Sequence, residues 1–385
     1  MYILKILFRN AFRHRLRTGL TILGITIAIL AFGLLRTVID TWHMGIEAAS
    51  DYRLITRNAV SMTFTLPIYY KDKIKQVEGV TQVGYGVWFG GIYIDQKNFF
   101  ANFAIDPRTM FTLYPEFVLT QKEKVDFIRD RKGFIAGRKL AKKYGWKIGD
   151  IVTLKGIIYP GNWDFILRGI YSGRYVSTDE TEFYFHWDYL NETMKKVTPR
   201  RADQVGYFVI GINDPEKSAA ISSEIDNMFK NSLAETLTET EKAFTQGFLS
   251  MVQTIIVVIQ LVSFIIIIII MAVVANTMAM TTRERIGEYA IMKALGFGGR
   301  HIAVLIFGEA IVITTIGCLF GIALLFPAAD IFAKYLEQYF PVFHVKVTTI
   351  YFDIAAALVV ATAAAVVPIR SAIRIRIADG LRRIV

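Results

Sequence analysis

The chain has 385 residues, 54% of them hydrophobic and only 20% charged, and carries a formal charge of +11. That balance excludes both an ordinary soluble globular protein and a bare bundle of membrane spans, and leaves a mixture of the two. Nucleic acid is excluded as the reason for the positive charge, because segments 1–17, 281–300 and 370–385 carry +5, +2 and +4, the whole excess, and the remainder is neutral.

Basic charge confined beside apolar runs is the mark of loops held on the cytoplasmic side of a membrane. In segment 1–17, Lys5, Arg9, Arg13 and Arg17 recur every four residues, while Ile3, Ile6, Leu7, Ala11 and Phe12 cover other faces. This spacing predicts a cytoplasmic interfacial amphipathic helix, with plain charge anchoring as the alternative. Segment 18–39 follows as the first span, since about 20 apolar residues cross the hydrocarbon of a bilayer. No small-residue cleavage site follows it, and Arg36 and Trp42 mark an interfacial end, so it reads as a retained helix rather than a signal peptide.

Residues 40–250 form a soluble insert on the far side of the membrane. Residues 67–76 and 215–230 read as helices, the latter opened by Asn213-Asp214. Residues 84–94, 149–154, 165–171 and 207–212 read as strands, with a turn at Pro160-Gly161, and 134–144 passes from strand to helix. Stretches near 40–50 and 233–250 read as helical stalks. The aromatics Trp88, Phe89, Tyr93, Phe99, Phe100 and Phe103 read as core, with an exposed apolar groove for a lipid or hydrophobic peptide as the alternative, and Asp179, Glu180 and Glu182 read as a solvated acidic loop.

Three more spans follow, at 251–280, 302–326 and 350–369, separated by a cytoplasmic loop at 281–301 and a short outer loop at 327–349. A basic cytoplasmic tail, 370–385, ends the chain. The fold class expected is an α-helical membrane protein with four transmembrane helices in a 1+3 arrangement plus an α+β extracytoplasmic domain, both termini cytoplasmic. Loop 281–301 is too short to hold a domain, and it sets Arg283, Arg285, Lys293 and Arg300 against Glu284 and Glu288. A helix placed there is well positioned to be pushed by something soluble.

Within the spans, Glu309 near the inner end of the third reads as a structural ion pair or hydrogen bond, with Arg283 or Arg285 as partner, because an unpaired carboxylate in that setting is costly; a functional carboxylate is the alternative. Gln260 and Asn276 in the second span are expected at interhelical contacts, and Gly19, Gly24 and Gly33 permit close packing. A catalytic constellation is not found. The glycine-rich Gly296-Phe297-Gly298-Gly299 lacks the lysine of a phosphate loop, no Gly-x-Ser-x-Gly occurs, and His14, His43, His186, His301 and His344 show no metal-ligand spacing. The single cysteine, Cys318, sits in an apolar run and reports no redox compartment.

Several motifs together resemble the MacB/FtsX-like permeases of ABC systems. RTGLTILGI at 17–25 resembles the family's start of the first span, and FIAG at 134–137 with GDIV at 149–152 resembles its outer-domain pattern. Arg285, Glu288 and the run to Gly296 resemble its loop motif, followed by Ile302 and Glu309-Ala310; Pro368 to Leu381-Arg382 resembles its ending. Here Ile286-Gly287 separates Arg285 from Glu288, where many members have the two residue types adjacent.

The resemblance implies a non-catalytic subunit that binds no cofactor itself, with ATP and Mg on a separate ABC ATPase subunit. It implies that 281–301 is a coupling helix touching that ATPase through Arg283, Arg285, Glu288, Lys293, Leu295 and Gly296, with Glu309 and Asn276 as intramembrane polar residues. It also implies a second permease copy or paralogue, a periplasmic adaptor or lipoprotein as a further partner, no nucleic acid, and a place in the bacterial inner membrane. The function expected is mechanotransmission: ATP hydrolysis moves the periplasmic domain, for export or extraction of a hydrophobic or amphipathic cargo. The alternative is a transmitter that regulates a periplasmic enzyme and moves no cargo. A membrane-anchored hydrolase, a third class, has no catalytic constellation behind it.

Overall fold

The computed structural model describes residues 2–376 apart from 97, 337–339 and 341. Leu381-Arg382 and the rest of the basic tail beyond 376 lie outside the described residues, as do parts of the 327–349 loop. The chain divides into two compact units, one of 1–41, 252–335 and 343–385, the other of 42–251 and 336–342.

The first unit is helical. Four helices are long and apolar enough to cross a membrane, over Arg15–Met44, Leu249–Glu284, Gly299–Tyr335 and Val347–Ile373. They belong to helices Arg15–Ala48, Glu241–Glu284, Gly299–Leu336 and Val347–Ile373. The third continues past the expected end at 326 because Pro327 sits inside it without breaking it, as neighbouring groups in a packed span allow. The basic start is two helices rather than the single one expected over 2–17. Helix Tyr2–Ala11 ends in a turn, and the next begins at Arg15. The Thr18 hydroxyl donates to the Ala11 carbonyl at 2.5 Å, taking up one of the acceptors left free where the first helix stops.

Packing in this unit relies on small residues where helices approach most closely. Ile25 and Ile29 of the first span lie against Gly317 and Gly321 of the third, where an added Cβ would sit 2.7 and 2.8 Å from their Cβ atoms. That small-xxx-small pair lets the two backbones close up, and the Thr26 hydroxyl donates across the gap to the Gly317 carbonyl at 3.2 Å. Gly24 and Gly33 also serve close approach, against Ile270 and against Leu325 and Asp353, whereas Gly19 faces open space. Gly317→Val should therefore lower stability by about 1–3 kcal/mol through overpacking, while Gly19→Ala should leave it unchanged. Thermal unfolding of the detergent-solubilised chain checks this, and an unaltered melting temperature for Gly317→Val would mean that the two helices do not meet here.

Gln260 and Asn276 are both exposed on the second span within this chain. The buried polar side chains within the spans include Glu309 and Asp353 instead.

The second unit is an α+β fold around an eleven-stranded sheet. Ten strands run in the order Thr236–Thr240, Arg53–Asn58, Tyr207–Ile212, Val80–Trp88, Asn102–Ile105, Phe183–His186, Gly133–Gly137, Gly161–Gly173, Ile151–Gly156 and Gly91–Ile92. Strict alternation of buried and exposed residues along Ile151–Gly156 sends Val152 and Leu154 to one face, the two-residue period of a half-buried strand. That face carries an aromatic core in which Phe134 stacks on Phe183 at 4.1 Å and Phe165 meets Phe185 at 4.5 Å. Helix starts follow local chemistry: Thr120 and Glu123 close a capping box on Gln121–Arg129, and Asp106 caps Pro107–Leu113.

Two sequence expectations are overturned in this unit. Residues 236–240, expected as helical stalk, are a strand paired antiparallel with Arg53–Asn58, and helix starts only at Glu241. Threonines at alternate positions favour the pleated conformation, and the Thr56 and Thr238 hydroxyls meet at 2.9 Å across the pair. The acidic run 179–182 is not a solvated loop but folds back on the sheet. The Tyr171 hydroxyl donates to the Asp179 carbonyl at 2.9 Å, the Gly173 N–H donates to Glu180 at 2.8 Å, and Glu182 accepts from the Tyr184 hydroxyl. Burial pushes the Asp179 carboxyl up and raises Glu182 to about 8. Of the aromatics expected in the core, Phe89 and Phe100 are buried there, whereas Trp88 and Phe99 are exposed.

Candidate functional site

The second span runs on as helix to Glu284, breaks at Arg285, and restarts as the short helix Ile286–Ala294. The Arg285 backbone departs from helical geometry, which turns the new helix away while its side chain reaches back to Glu309. The short helix ends at Gly296, whose φ of +91° is open to glycine and strained for other residues. The third span then begins at Gly299.

A chain of charged contacts fixes this corner. Arg285 donates from Nε to Glu288 at 2.9 Å and from Nη1 to Glu309 at 3.1 Å, and its guanidinium lies 5.4 Å from the Tyr289 ring centre. Glu309 is 4% exposed, so Arg285 supplies the cation that a carboxylate in that setting needs. Glu288 also pairs with Arg13, and Glu284 accepts both guanidinium nitrogens of Arg17, at 2.8 and 2.9 Å. Partial burial raises the Glu288 carboxyl, but hydrogen bonds from Arg13 and Arg285 outweigh it and hold the group below its ordinary value. Lys293 donates to the carbonyls of Ile373 and Ile375 at 2.6 and 2.9 Å, capping the end of the fourth span.

The structure thus gathers Arg285, Glu288 and Glu309 into one network, while Lys293 ties the short helix to the fourth span. Arg283 is exposed, Leu295 is 73% exposed beside the Gly296 break, and Asn276 stands apart from the network. Ile291 and Phe297 are exposed near Leu295, so the tip of this corner is apolar and its base is charged. Sequence reasoning missed Arg13, Arg17 and Glu284 as partners. The signal available was the one-sided spacing of Arg13 and Arg17 opposite a loop with two acids. It also missed Asp353, fully buried in the fourth span, whose carboxyl oxygens have no hydrogen-bond partner among the described residues. The signal there was a lone acid inside an apolar run, usually a functional mark in a membrane.

Residues 260–377 match the FtsX-like permease C-terminal family. Among solved structures, the chain is similar to the extracellular domain of the noncanonic ABC-type transporter YknZ from Gram-positive bacteria, at 12% identity over 49% of this chain and 100% of that one, TM-score 0.37. It is also similar to the periplasmic region of MacB from Actinobacillus actinomycetemcomitans, at 11% identity over 53% of this chain and 95% of that one, TM-score 0.39. No curated protein matches the chain. Fold and loop define a four-span helical membrane protein with an α+β extracytoplasmic domain after the first span. The family match spans the last three of these helices, so residues 260–377 are similar to the C-terminal part of the FtsX-like permeases.

Proposed function

We propose that the 281–301 corner is a coupling helix that receives the ATPase subunit on the cytoplasmic side and passes its motion to the extracytoplasmic domain. The observation that carries this reading is the exposed apolar tip, Ile291, Leu295 and Phe297, on a base locked by Arg285, Glu288 and Glu309. A tip free to be gripped on a base that cannot shift alone transfers displacement to the second and third spans. Arg283 adds an exposed cation beside it, and Glu288 extends the grip to the N-terminal helix through Arg13. ATP and Mg sit on the separate ATPase, and the working unit is a dimer with a second permease copy or paralogue, in the bacterial inner membrane with both termini inside. The outer domain acts on a hydrophobic or amphipathic cargo for export or extraction, with an adaptor or lipoprotein as its periplasmic partner.

The test is ATPase stimulation in the complex reconstituted with its partner subunit. Glu288→Lys places a like charge against Arg13 and Arg285, and Gly296→Pro forces a negative φ where +91° is needed. Each should lower permease-dependent ATP turnover by about tenfold or more, in line with the loss of a positioning element. Stimulation equal to wild type in both variants would mean that the ATPase docks elsewhere.

A further inference from the structure

Two polar groups of the membrane unit take no part in the coupling corner, and both lie where the first and fourth spans meet. Asp353 is fully buried, and neither of its carboxyl oxygens has a hydrogen-bond partner among the described residues. The Arg36 Nε is buried as well and donates to nothing among them. Burying an acid or a guanidinium N–H alone is costly, and the cost falls when the two meet.

They are close without meeting. Arg36 forms a loose ion pair with Asp40, one turn further along its own helix, with Nε 3.4 Å from the carboxyl. Its guanidinium lies 4.5 Å from the ring centre of Phe352, the residue next to Asp353. Asp40 accepts from the Thr349 hydroxyl at 3.1 Å. The Asp353 carboxyl packs against Gly33, one turn before Arg36, where an added Cβ would stand 2.9 Å from Oδ2. Asp40 meets Thr349 and Gly33 meets Asp353, so the two helices are antiparallel and Arg36 stands between two acids along the axis. Side chains on a helix lean toward its N-terminus, which for Arg36 is the side of Gly33 and Asp353.

The packing of the first span on the third repeats at the same interval. Ile25 lies on Gly317 and Ile29 on Gly321, four residues apart in each helix. A slide of the first span toward its N-terminal end by one turn, about 5 Å, sets Ile29 on Gly317 and Gly33 where Ile29 was. The same slide brings Arg36 level with Asp353.

We propose that Arg36 is a cation shared by two acids, held by Asp40 in the present arrangement and by Asp353 after a one-turn slide, so that the membrane unit has two discrete registers. Packed helices with two such registers step between them rather than drift. This goes beyond the coupling reading and stands on the membrane unit alone.

The test is double electron–electron resonance on the full chain in lipid nanodiscs, with nitroxides at Leu20→Cys and Tyr351→Cys in a Cys318→Ala background. Both labelled positions are exposed, one on each helix. Leu20 lies on the N-terminal side of Gly33, so the slide carries it away from Tyr351 and lengthens the separation by about 5 Å. Asp40→Asn keeps an acceptor for the Thr349 hydroxyl but removes the first resting place, and should raise the ratio of the longer to the shorter distance about tenfold or more. Adding Asp353→Asn, which removes the second resting place, should cancel that rise, and so should adding Arg36→Met. Asp353→Asn alone should leave the shorter distance as the single one. The proposal is overturned by an unchanged ratio in Asp40→Asn, or by a rise that survives either Asp353→Asn or Arg36→Met.

Discussion

Arg285→Met should be the most damaging single substitution in the membrane unit, costing about 3–5 kcal/mol of stability. The methionine fills the space of the aliphatic stem but leaves Glu309 buried without its cation, and Glu288 with Arg13 as its remaining pairing. Glu309→Gln should cost less, about 1–2 kcal/mol, because an amide oxygen still accepts from the Arg285 Nη1 and the arginine keeps Glu288. Combining Arg285→Met with Glu309→Leu removes both buried charges and should recover much of the loss, since an ion pair in an apolar setting returns little beyond the desolvation it suffers. Thermal unfolding of the chain in nanodiscs, followed by intrinsic fluorescence, ranks the three. Equal losses in Arg285→Met and Glu309→Gln, with no recovery in the double variant, would mean that Glu309 does not depend on Arg285.

That pair also shows how far the sequence was readable. An acid inside a span requires a cation nearby, and the basic residues within reach were those of the loop just before it, so Arg283 and Arg285 could be named without coordinates. The choice between Arg283 and Arg285 could not, because it depends on the helix breaking at Arg285 and turning one guanidinium inward. The spans were legible because roughly 20 apolar residues have few alternatives in water, and strand 207–212 was legible because its buried run ends in a turn signal. Thr236–Thr240 was misread because five residues next to a long helix carry little periodicity of their own, and its pairing partner lies some 180 residues earlier in the chain. The acidic run was misread for a related reason: three acids within four positions look solvated, and only the tertiary fold shows Tyr171 and Tyr184 covering them. Trp88 and Phe103 illustrate the same limit, since alternation places a ring on a face of the sheet but does not say whether that face is packed or lines a cleft.

In the outer domain the corresponding substitution is Arg53→Met, for which a loss of about 3–5 kcal/mol is expected. Arg53 begins a strand flanked by Tyr207–Ile212 and Thr236–Thr240. Its guanidinium donates to Glu241 at 2.8 Å, to Glu116 at 2.7 Å and to the Leu113 carbonyl at 2.8 Å, and lies 4.4 Å from the Tyr114 ring centre. Burial opposes its charge, and the carboxylates outweigh that, so the guanidinium remains protonated throughout the ordinary pH range. Glu241 is the first residue of the helix that continues as the second span, and it also accepts the Ser50 N–H at 2.7 Å, just beyond the end of the first-span helix at Ala48. One arginine therefore joins the two places where the chain enters and leaves the domain. Arg53→Lys keeps the charge but offers a point donor in place of a planar fork with several fixed directions, so it should recover only part of the loss. Denaturant unfolding followed by tryptophan fluorescence measures both. On the proposed mechanism the same joint passes motion from helix to domain, so Arg53→Lys should reduce domain movement per ATP hydrolysed more than it reduces stability. If a spin-label pair across the outer domain moved as far in Arg53→Lys as in wild type, the joint would be structural and the motion would enter the domain by another route.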